Sequence, residues 1–342
     1  MAIQQHPFGE VNGEEIRRFT LANSRGVSAD IITYGGIITA VRLPDRNGVT
    51  ANVCLGFDSL ESYLKGHPYF GCITGRFANR IRNGRFSLDG IDYQLTLNHG
   101  AHHLHGGVCG FDKKIWQAET FESDDACGLV LRYTSADGEE GYPGNLEVTV
   151  VYSLNEENEL IINYMAETDA PTPINLTNHA YWNFAGAGSG KIYDHVLHLP
   201  CSRYLKVDAD LIPTGEIAPA QGALDFTAAK AVGKDIQAAG GYDHCYILDR
   251  NDEKTPVLAA RVVDPHSGRG MEVLTTKPAI QLYTGNFLDG IVGSGGTFGK
   301  HDALCLETEY YPDAVNHANF PSPILSPGEL YHHVTVHRFF VE

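Results

Sequence analysis

The sequence predicts an all-β protein, a large antiparallel β-sandwich with a few short helices. Apolar residues recur with a period of two through the longest patterned stretches. Helical periodicity is scarce and never alternates with strands in a βαβ rhythm. The 37 glycines and 16 prolines of the 342 residues are distributed as turns rather than gathered into linkers.

In chain order, Ser59 to Lys65 reads as a short helix capped by Ser59. Phe86 to Leu97 reads as a hairpin, because Asp89-Gly90 between alternating segments is a strong tight-turn signal. Leu146, Val148, Val150, Tyr152 and Leu154 alternate with Glu147, Thr149, Val151 and Ser153 as one strand. Leu160, Ile162, Tyr164 and Ala166 mark a second. Thr227 to Ala238 has the spacing of another helix, and Tyr331 to Val341 alternates again. No linker, charge block, low-complexity tract or short repeat interrupts residues 1–342, so one domain is expected.

The composition, 43% hydrophobic and 20% charged, is that of a globular chain. A formal net charge of -17 with no basic cluster makes nucleic acid and anionic membrane poor partners, and none is expected. It also disfavours a strongly anionic substrate. The seven cysteines are odd in number, dispersed and without a CxxC pair, which suits reduced thiols rather than a disulfide frame. The segment Met1-Ala2-Ile3-Gln4-Gln5-His6-Pro7 has neither a basic start nor an apolar run, and no stretch is long and apolar enough to span a bilayer. A cytoplasmic monomer or weak homodimer is expected. Gly186 to Lys191 imitates a phosphate loop, but position 185 is alanine and Ile192 replaces the serine or threonine, so it reads as a turn.

Chemistry concentrates in a few segments. Glu307 lies in Leu304-Cys305-Leu306-Glu307-Thr308-Glu309-Tyr310-Tyr311, unusually apolar company for a surface carboxylate. His105 sits in Leu104-His105-Gly106-Gly107, and His179 in Asn178-His179-Ala180-Tyr181-Trp182. A glutamate with a histidine is a proton-moving pair. Tyr181 and Trp182 offer flat apolar faces of the kind a sugar ring needs. The glycines after His105 suggest a backbone that a ligand approaches closely. His103-x-His105 raises a metal site, since alternate residues share one side of a strand. No glutamate or thiolate follows at ligand spacing, and no metal is expected. Arg76 and Asn79 lie in Gly75-Arg76-Phe77-Ala78-Asn79-Arg80-Ile81, a turn after a strand. Asp243 is flanked by Tyr242 and His244, and Gln281 is a polar side chain in an apolar strand that needs a hydrogen-bond partner. Taken singly, each has a plain alternative: a core histidine, a surface ion pair or an Asx-turn.

Taken together, the segments resemble the aldose 1-epimerase (galactose mutarotase) family over nearly the whole chain. The blocks run in family order from Tyr34-Gly35-Gly36 through Gly71 to Ile81, Leu104 to Trp116, Asn175 to Phe184, Gly241 to Tyr246, Gln281 to Phe287 and Glu307 to Asn316. The resemblance implies a galactose mutarotase-like supersandwich. It also implies cofactor-free interconversion of the α and β anomers of free aldoses such as glucose and galactose. It makes Glu307 the general base, His179 the general acid and His105 the second active-site histidine. Arg76, Asn79, Asp243 and Gln281 fall at substrate-binding positions. Two positions depart from the family pattern. His102 stands where asparagine is usual, and Glu309 where glutamine is usual. Glu309, two residues from Glu307 in a strand, would raise the pKa of Glu307 if it points inward. Three other readings stay open from sequence: a glycoside hydrolase using Glu307 and Asp243, a non-catalytic sugar-binding paralogue, and a hexose-phosphate epimerase.

Overall fold

The structure, a computed structural model, describes residues 1–250 and 254–342. Period-two alternation sets its architecture. In Leu146–Asn155 every second side chain is buried, and the strand pairs antiparallel with Glu159–Thr168, Leu146 opposite Thr168 and Leu154 opposite Leu160. Both strands belong to a nine-stranded sheet that starts Gln117–Glu122, Ala126–Ser135, Leu146–Asn155, Glu159–Thr168, Tyr331–Val341. It continues through Arg269–Thr275, Val257–Val263, Val196–His198 and Lys230–Ala231. The C-terminal strand therefore lies inside the sheet, between the segments around residues 160 and 270. An N-terminal sheet of five strands runs from Ala2–Val11 to Thr50–Asn52.

The sheet that positions the site also has five strands. Its order is Pro213–Pro219, Arg203–Val207, Asp243–Ile247, Ala279–Tyr283, Cys305–Glu309. Its register puts Cys245 opposite Gln281 and Gln281 opposite Glu307. Even-numbered Tyr246, Ile280, Leu282 and Leu306 enter the main apolar core, beside Val148 and Val150 of the nine-stranded sheet and Leu21 and Ile31 of the N-terminal one. Odd-numbered Asp243, Gln281 and Glu307 are left to the opposite face. Burying a leucine or isoleucine contributes ~1.5–3 kcal/mol. A one-residue slip would put the polar set in the core, so the apolar residues fix where the polar ones point.

The short elements follow local signals, with one exception. Leu60–Leu64 is helical with Leu60 and Tyr63 buried; Ser59 stands at the N-cap position, but its hydroxyl pairs with that of Ser62 (3.0 Å) rather than capping a backbone N–H. Arg85–Leu88 pairs with Ile91–Gln94, and Asp89 and Gly90 turn with φ of 53° and 79°. The expected helix over Thr227 to Ala238 does not form. The backbone N–H groups of Val232 and Gly233 donate to the carbonyls of His195 and Tyr193 (2.8 Å each) instead of to carbonyls four residues back. Lys230–Ala231 becomes an edge strand against Val196–His198, followed by a single 3₁₀ turn. Gly233 is also wedged so tightly against Tyr193 that a β-carbon there would clash. No helix among the described residues is long and apolar enough to cross a membrane.

Candidate active site

Glu307 projects from the middle of Cys305–Glu309 into a cavity of about 260 Å³, with Gln281 and Asp243 on the same sheet face. That volume lies near the small end of small-molecule sites, roughly 300–1,000 Å³, and suits one sugar ring better than a chain of them.

His179 reaches the cavity from another direction. It follows Thr177–Asn178, which pairs antiparallel with Ile73–Thr74. Its backbone N–H donates to the Cys72 carbonyl (2.9 Å), and its carbonyl accepts from Gly71 (3.0 Å). The ring is stacked on Tyr181 at 5.1 Å and on Tyr69 at 5.8 Å between centroids. Its Nε2 stands 3.6 Å from Glu307 Oε2, with both side chains buried.

His105 leaves the strand His103–Leu104 with a φ of 49°. The Asn79 backbone N–H donates to its Nδ1 at 3.1 Å, and the His105 N–H donates to the Asn79 carbonyl at 2.9 Å. With Nδ1 accepting, a neutral His105 carries its proton on Nε2 and presents a donor. Asn79 is locked in turn. Its Oδ1 accepts from the Arg80 N–H (2.9 Å), and its Nδ2 donates to Glu309 Oε1 (3.0 Å).

Three buried polar atoms on the cavity-lining residues have no hydrogen-bond partner among the described residues: Glu307 Oε2, Gln281 Oε1 and Arg80 Nε. Buried polar groups are nearly always satisfied, so three orphans around one hole mark a place for a polyhydroxylated ligand. Gln281 Nε2 donates to Asp243 Oδ1 at 2.5 Å, and Arg80 Nη2 lies 4.0 Å from Asp243 Oδ2. Tyr283 and Phe287, stacked at 6.2 Å, add an apolar wall.

Burial dominates the electrostatics. It pushes the Glu307 carboxyl well above the usual carboxylate range, with like charges on Glu309 and Asp243 adding to the effect and Arg80 opposing it. It pushes His179 down to about 3. His105 is also driven well below its ordinary value, by burial and then by His179. The pair Glu307–His179 thus holds a single proton over a wide pH interval.

Not every residue singled out from sequence reaches the cavity. Arg76 does not. Its guanidinium donates to the carbonyls of Pro143 (2.8 Å), Gly144 (3.0 Å), Ser135 (3.2 Å) and Ala136 (3.2 Å), and to the hydroxyls of Thr172 (3.1 Å) and Ser135 (2.7 Å). It is a buried brace for the loop around residue 140, and the arginine of this turn that lines the cavity is Arg80, which sequence reasoning passed over. Two arginines four apart on one turn look alike until the fold shows which one meets carbonyls. Trp182 turns into the core, stacked on Phe184 at 6.1 Å, so Tyr181 alone of that pair serves the site. Gly106 is needed for backbone packing rather than ligand approach, because a β-carbon there would overlap the Gly75 carbonyl. His103 points inward, with Nε2 2.6 Å from the Tyr142 hydroxyl and Nδ1 2.7 Å from the Thr96 carbonyl. Both of its nitrogens are occupied, so His103 and His105 do not share a metal. His102 lies outside the cavity, accepting from the Asn83 N–H (3.1 Å) and facing Asp210 (3.5 Å).

His105, His179 and Glu307 bring one ligand atom each within 4.8 Å of one another. The spacing would admit a cation, but the tautomer of His105 does not fit. A metal needs the Nε2 lone pair, and the Asn79 N–H fixes the proton there.

The model of the aldose 1-epimerase family matches residues 17–338. Galactose mutarotase of Homo sapiens is 46% identical over 347 residues, covering 99% of each chain. Aldose 1-epimerase of Escherichia coli is 35% identical over 350 residues, covering 99% of this chain and 100% of its own length. Among solved structures, an aldose epimerase homologue from C. elegans superposes with a TM-score of 0.86 at 31% identity, covering 94% of this chain and 98% of that one. Galactose 1-epimerase of Lactobacillus acidophilus gives a TM-score of 0.86 at 28% identity, covering 99% of each chain.

Proposed function

The chain belongs to the aldose 1-epimerase family and has its activity, isomerisation of a sugar at the anomeric carbon, and we propose that Glu307 and His179 carry the protons of that reaction on free aldoses such as galactose and glucose. The observation that carries the assignment is the buried Glu307–His179 approach of 3.6 Å inside a cavity lined by unpartnered polar atoms.

Opening a cyclic hemiacetal requires one proton to leave the C1 hydroxyl and one to reach the ring oxygen O5. The open aldehyde turns about C1–C2 and recloses on the other face, with the proton movements reversed. Glu307 as carboxylate takes the C1 proton while His179 as imidazolium donates to O5. After opening, Glu307 is protonated and His179 is neutral, which is the arrangement burial favours in the empty site. The opened stage therefore matches the resting electrostatics of the pair. The sugar must favour the other arrangement first. Its hydroxyls, donating to Glu307 Oε2, stabilise the carboxylate, and the positive charge of Arg80 acts in the same direction. The His105 Nε2–H is set to donate to the anomeric oxygen as negative charge grows there.

Asp243, Gln281, Asn79 and Arg80 hold the hydroxyls away from C1, which leaves C1 free to rotate. Arg80 faces Asp243 at 4.0 Å, so its positive charge is already countered, which favours a neutral sugar over a sugar phosphate. Polarimetry on freshly dissolved α-D-galactose and α-D-glucose tests the reading. Glu307→Ala and His179→Asn should each abolish most of the acceleration, and two variants at wild-type rate would reject the assignment.

A further inference from the structure

The ring of His179 has two nitrogens, and the proton transfers use only Nε2. Its Nδ1 lies 3.6 Å from the Sγ of Cys305, within hydrogen-bond reach of sulfur. Cys305 is 0% exposed, set among Phe70, Tyr181 and Phe298. Burial holds its thiol well above the ordinary cysteine range, so the sulfur keeps its own proton. Cys305 and Glu307 stand two residues apart in one strand, ~6.8 Å along it and on one face. The imidazole bridges them, Nδ1 to Sγ and Nε2 to Oε2, at 3.6 Å each. Which nitrogen carries the proton of a neutral imidazole is set by what each one faces. Burial favours a protonated Glu307 beside a neutral His179. Nε2 must then offer its lone pair, or two hydrogens would meet across 3.6 Å. The proton of the neutral ring is left on Nδ1, facing the sulfur.

Resting on the acid–base reading above, we propose that Cys305 is a positioning residue for the reaction: its Sγ accepts the Nδ1–H of His179 and so leaves Nε2 to exchange a proton with Glu307 and the ring oxygen. Cys305 does not line the cavity and acts through His179. The Nδ1 proton stays with the sulfur whether the ring is neutral or charged. The two histidines of the site, 5.0 Å apart between centroids, then hold opposite tautomers. The Asn79 N–H behind Nδ1 of His105 makes its Nε2 a donor. The sulfur behind Nδ1 of His179 makes its Nε2, once the ring is neutral, an acceptor. The use of sulfur has a chemical consequence. A carboxylate behind Nδ1 would stabilise the imidazolium and blunt it as an acid. A thiol sulfur is a weak acceptor. It orients the ring without that stabilisation, and the imidazolium stays acidic enough to protonate an ether-like ring oxygen.

The test compares three variants of the full chain. Cys305→Ala and Cys305→Val remove the acceptor, and Cys305→Ser keeps one. Polarimetry on α-D-galactose gives kcat and KM. Ala and Val should each lower kcat about fivefold, the worth of one neutral hydrogen bond, with KM unchanged. Ser should stay within about twofold of wild type. Val fills the space that Ala leaves open, so a fall in both is not the effect of a cavity. Long-range proton–nitrogen correlation NMR on protein carrying nitrogen-15 histidine reads the tautomer at neutral pH, the His179 signals being those lost in His179→Asn. Wild type and Ser should show the Nδ1–H form, and Ala and Val a gain of the Nε2–H form. A wild-type ring carrying Nε2–H, wild-type kcat in Ala or Val, or a Ser variant as slow as Ala would each overturn the proposal. An inactive His179→Asn beside a Cys305 series at wild-type rate would reject Cys305 while leaving the catalytic assignment intact.

Discussion

Glu307→Gln separates chemistry from stability at one position. Gln is nearly isosteric, so the sheet register and the apolar face behind Leu306 should not change. The amide cannot accept the C1 proton, and loss of a positioned base costs ~10²–10⁴-fold. At 1.36 kcal/mol per decade this is ~3–5 kcal/mol of barrier. The stability effect has the opposite sign. Burial raises the folded-state pKa of Glu307, so the native protein binds this proton more tightly than the unfolded chain does. Stability contributed by the group is therefore full at low pH and is lost as pH rises through the raised value. At pH 7 the wild type bears either an unpaired carboxylate or the cost of keeping it protonated, and it leaves Oε2 without a partner. A Gln amide can donate to His179 Nε2, now 3.6 Å away, and removing an unsatisfied buried group is worth ~1–3 kcal/mol. Polarimetry on α-D-galactose and urea unfolding at pH 7 read the two effects. The variant should be nearly inactive with a higher urea midpoint at unchanged slope. Retention of more than about a tenth of the wild-type rate, below the smallest loss expected for a base, would refute the role of Glu307. A lower midpoint would refute the reasoning about its burial.

The two arginines should separate in the same way. Arg76→Met strips the guanidinium from six oxygen acceptors, all but the Ala136 carbonyl buried, and should cost at least ~3 kcal/mol of stability, since each buried acceptor left unsatisfied costs ~1–3 kcal/mol, with the folded fraction turning over normally. Arg80→Met should spare the fold and raise KM about 10–100-fold, the worth of a charged hydrogen bond of ~1.5–3 kcal/mol. Equal KM values for both variants would undo the distinction. In the free enzyme, His179 at about 3 and the raised Glu307 bracket the interval in which the pair holds one proton. kcat/KM should accordingly hold through weakly acidic pH and fall on the alkaline side, as the proton meant for O5 is lost. A fall that begins on the acid side near pH 5, with the protein folded by circular dichroism, would contradict this. EDTA should leave the mutarotation rate unchanged, since the His105 tautomer disfavours a cation, and inhibition that zinc reverses would show otherwise.

The sequence disclosed what depends on period and lost what depends on which neighbour arrives. Strands at Leu146–Asn155, Glu159–Thr168 and Tyr331–Val341 were legible because burial on one face forces alternation. The segment 227–238 was misread because its local helical preference competes with the carbonyls of His195 and Tyr193, which lie over thirty residues away in sequence. The meeting of Glu307, His179 and His105 at one cavity was legible because polar residues in apolar runs are conspicuous. Arg80 was not, since it shares a turn with Arg76 and only the tertiary structure tells which guanidinium meets carbonyls. Phe287 was hidden for a related reason: it is 70% exposed, and nothing local says that its ring flanks Tyr283 at the cavity wall.

Glu309 shows how one face of a sheet can serve two purposes. On the odd-numbered face of Cys305–Glu309 and Ala279–Tyr283, one end carries Glu307 and Gln281 to the cavity. The other end, with Ala279, Ile247 and Cys245, joins an apolar cluster around Tyr311 and Phe320. Glu309 falls at the boundary. A carboxylate there is a liability for the fold unless a cation reaches it, and for the reaction it is a like charge that raises Glu307. Both effects follow from one buried carboxylate two residues from the base on the same strand, so they cannot be tuned separately. A neutral residue at 309 would remove the like charge and lower the pKa of Glu307, and one without an acceptor would also release the Asn79 amide. Position 309 thus reaches the proton transfer without lining the cavity.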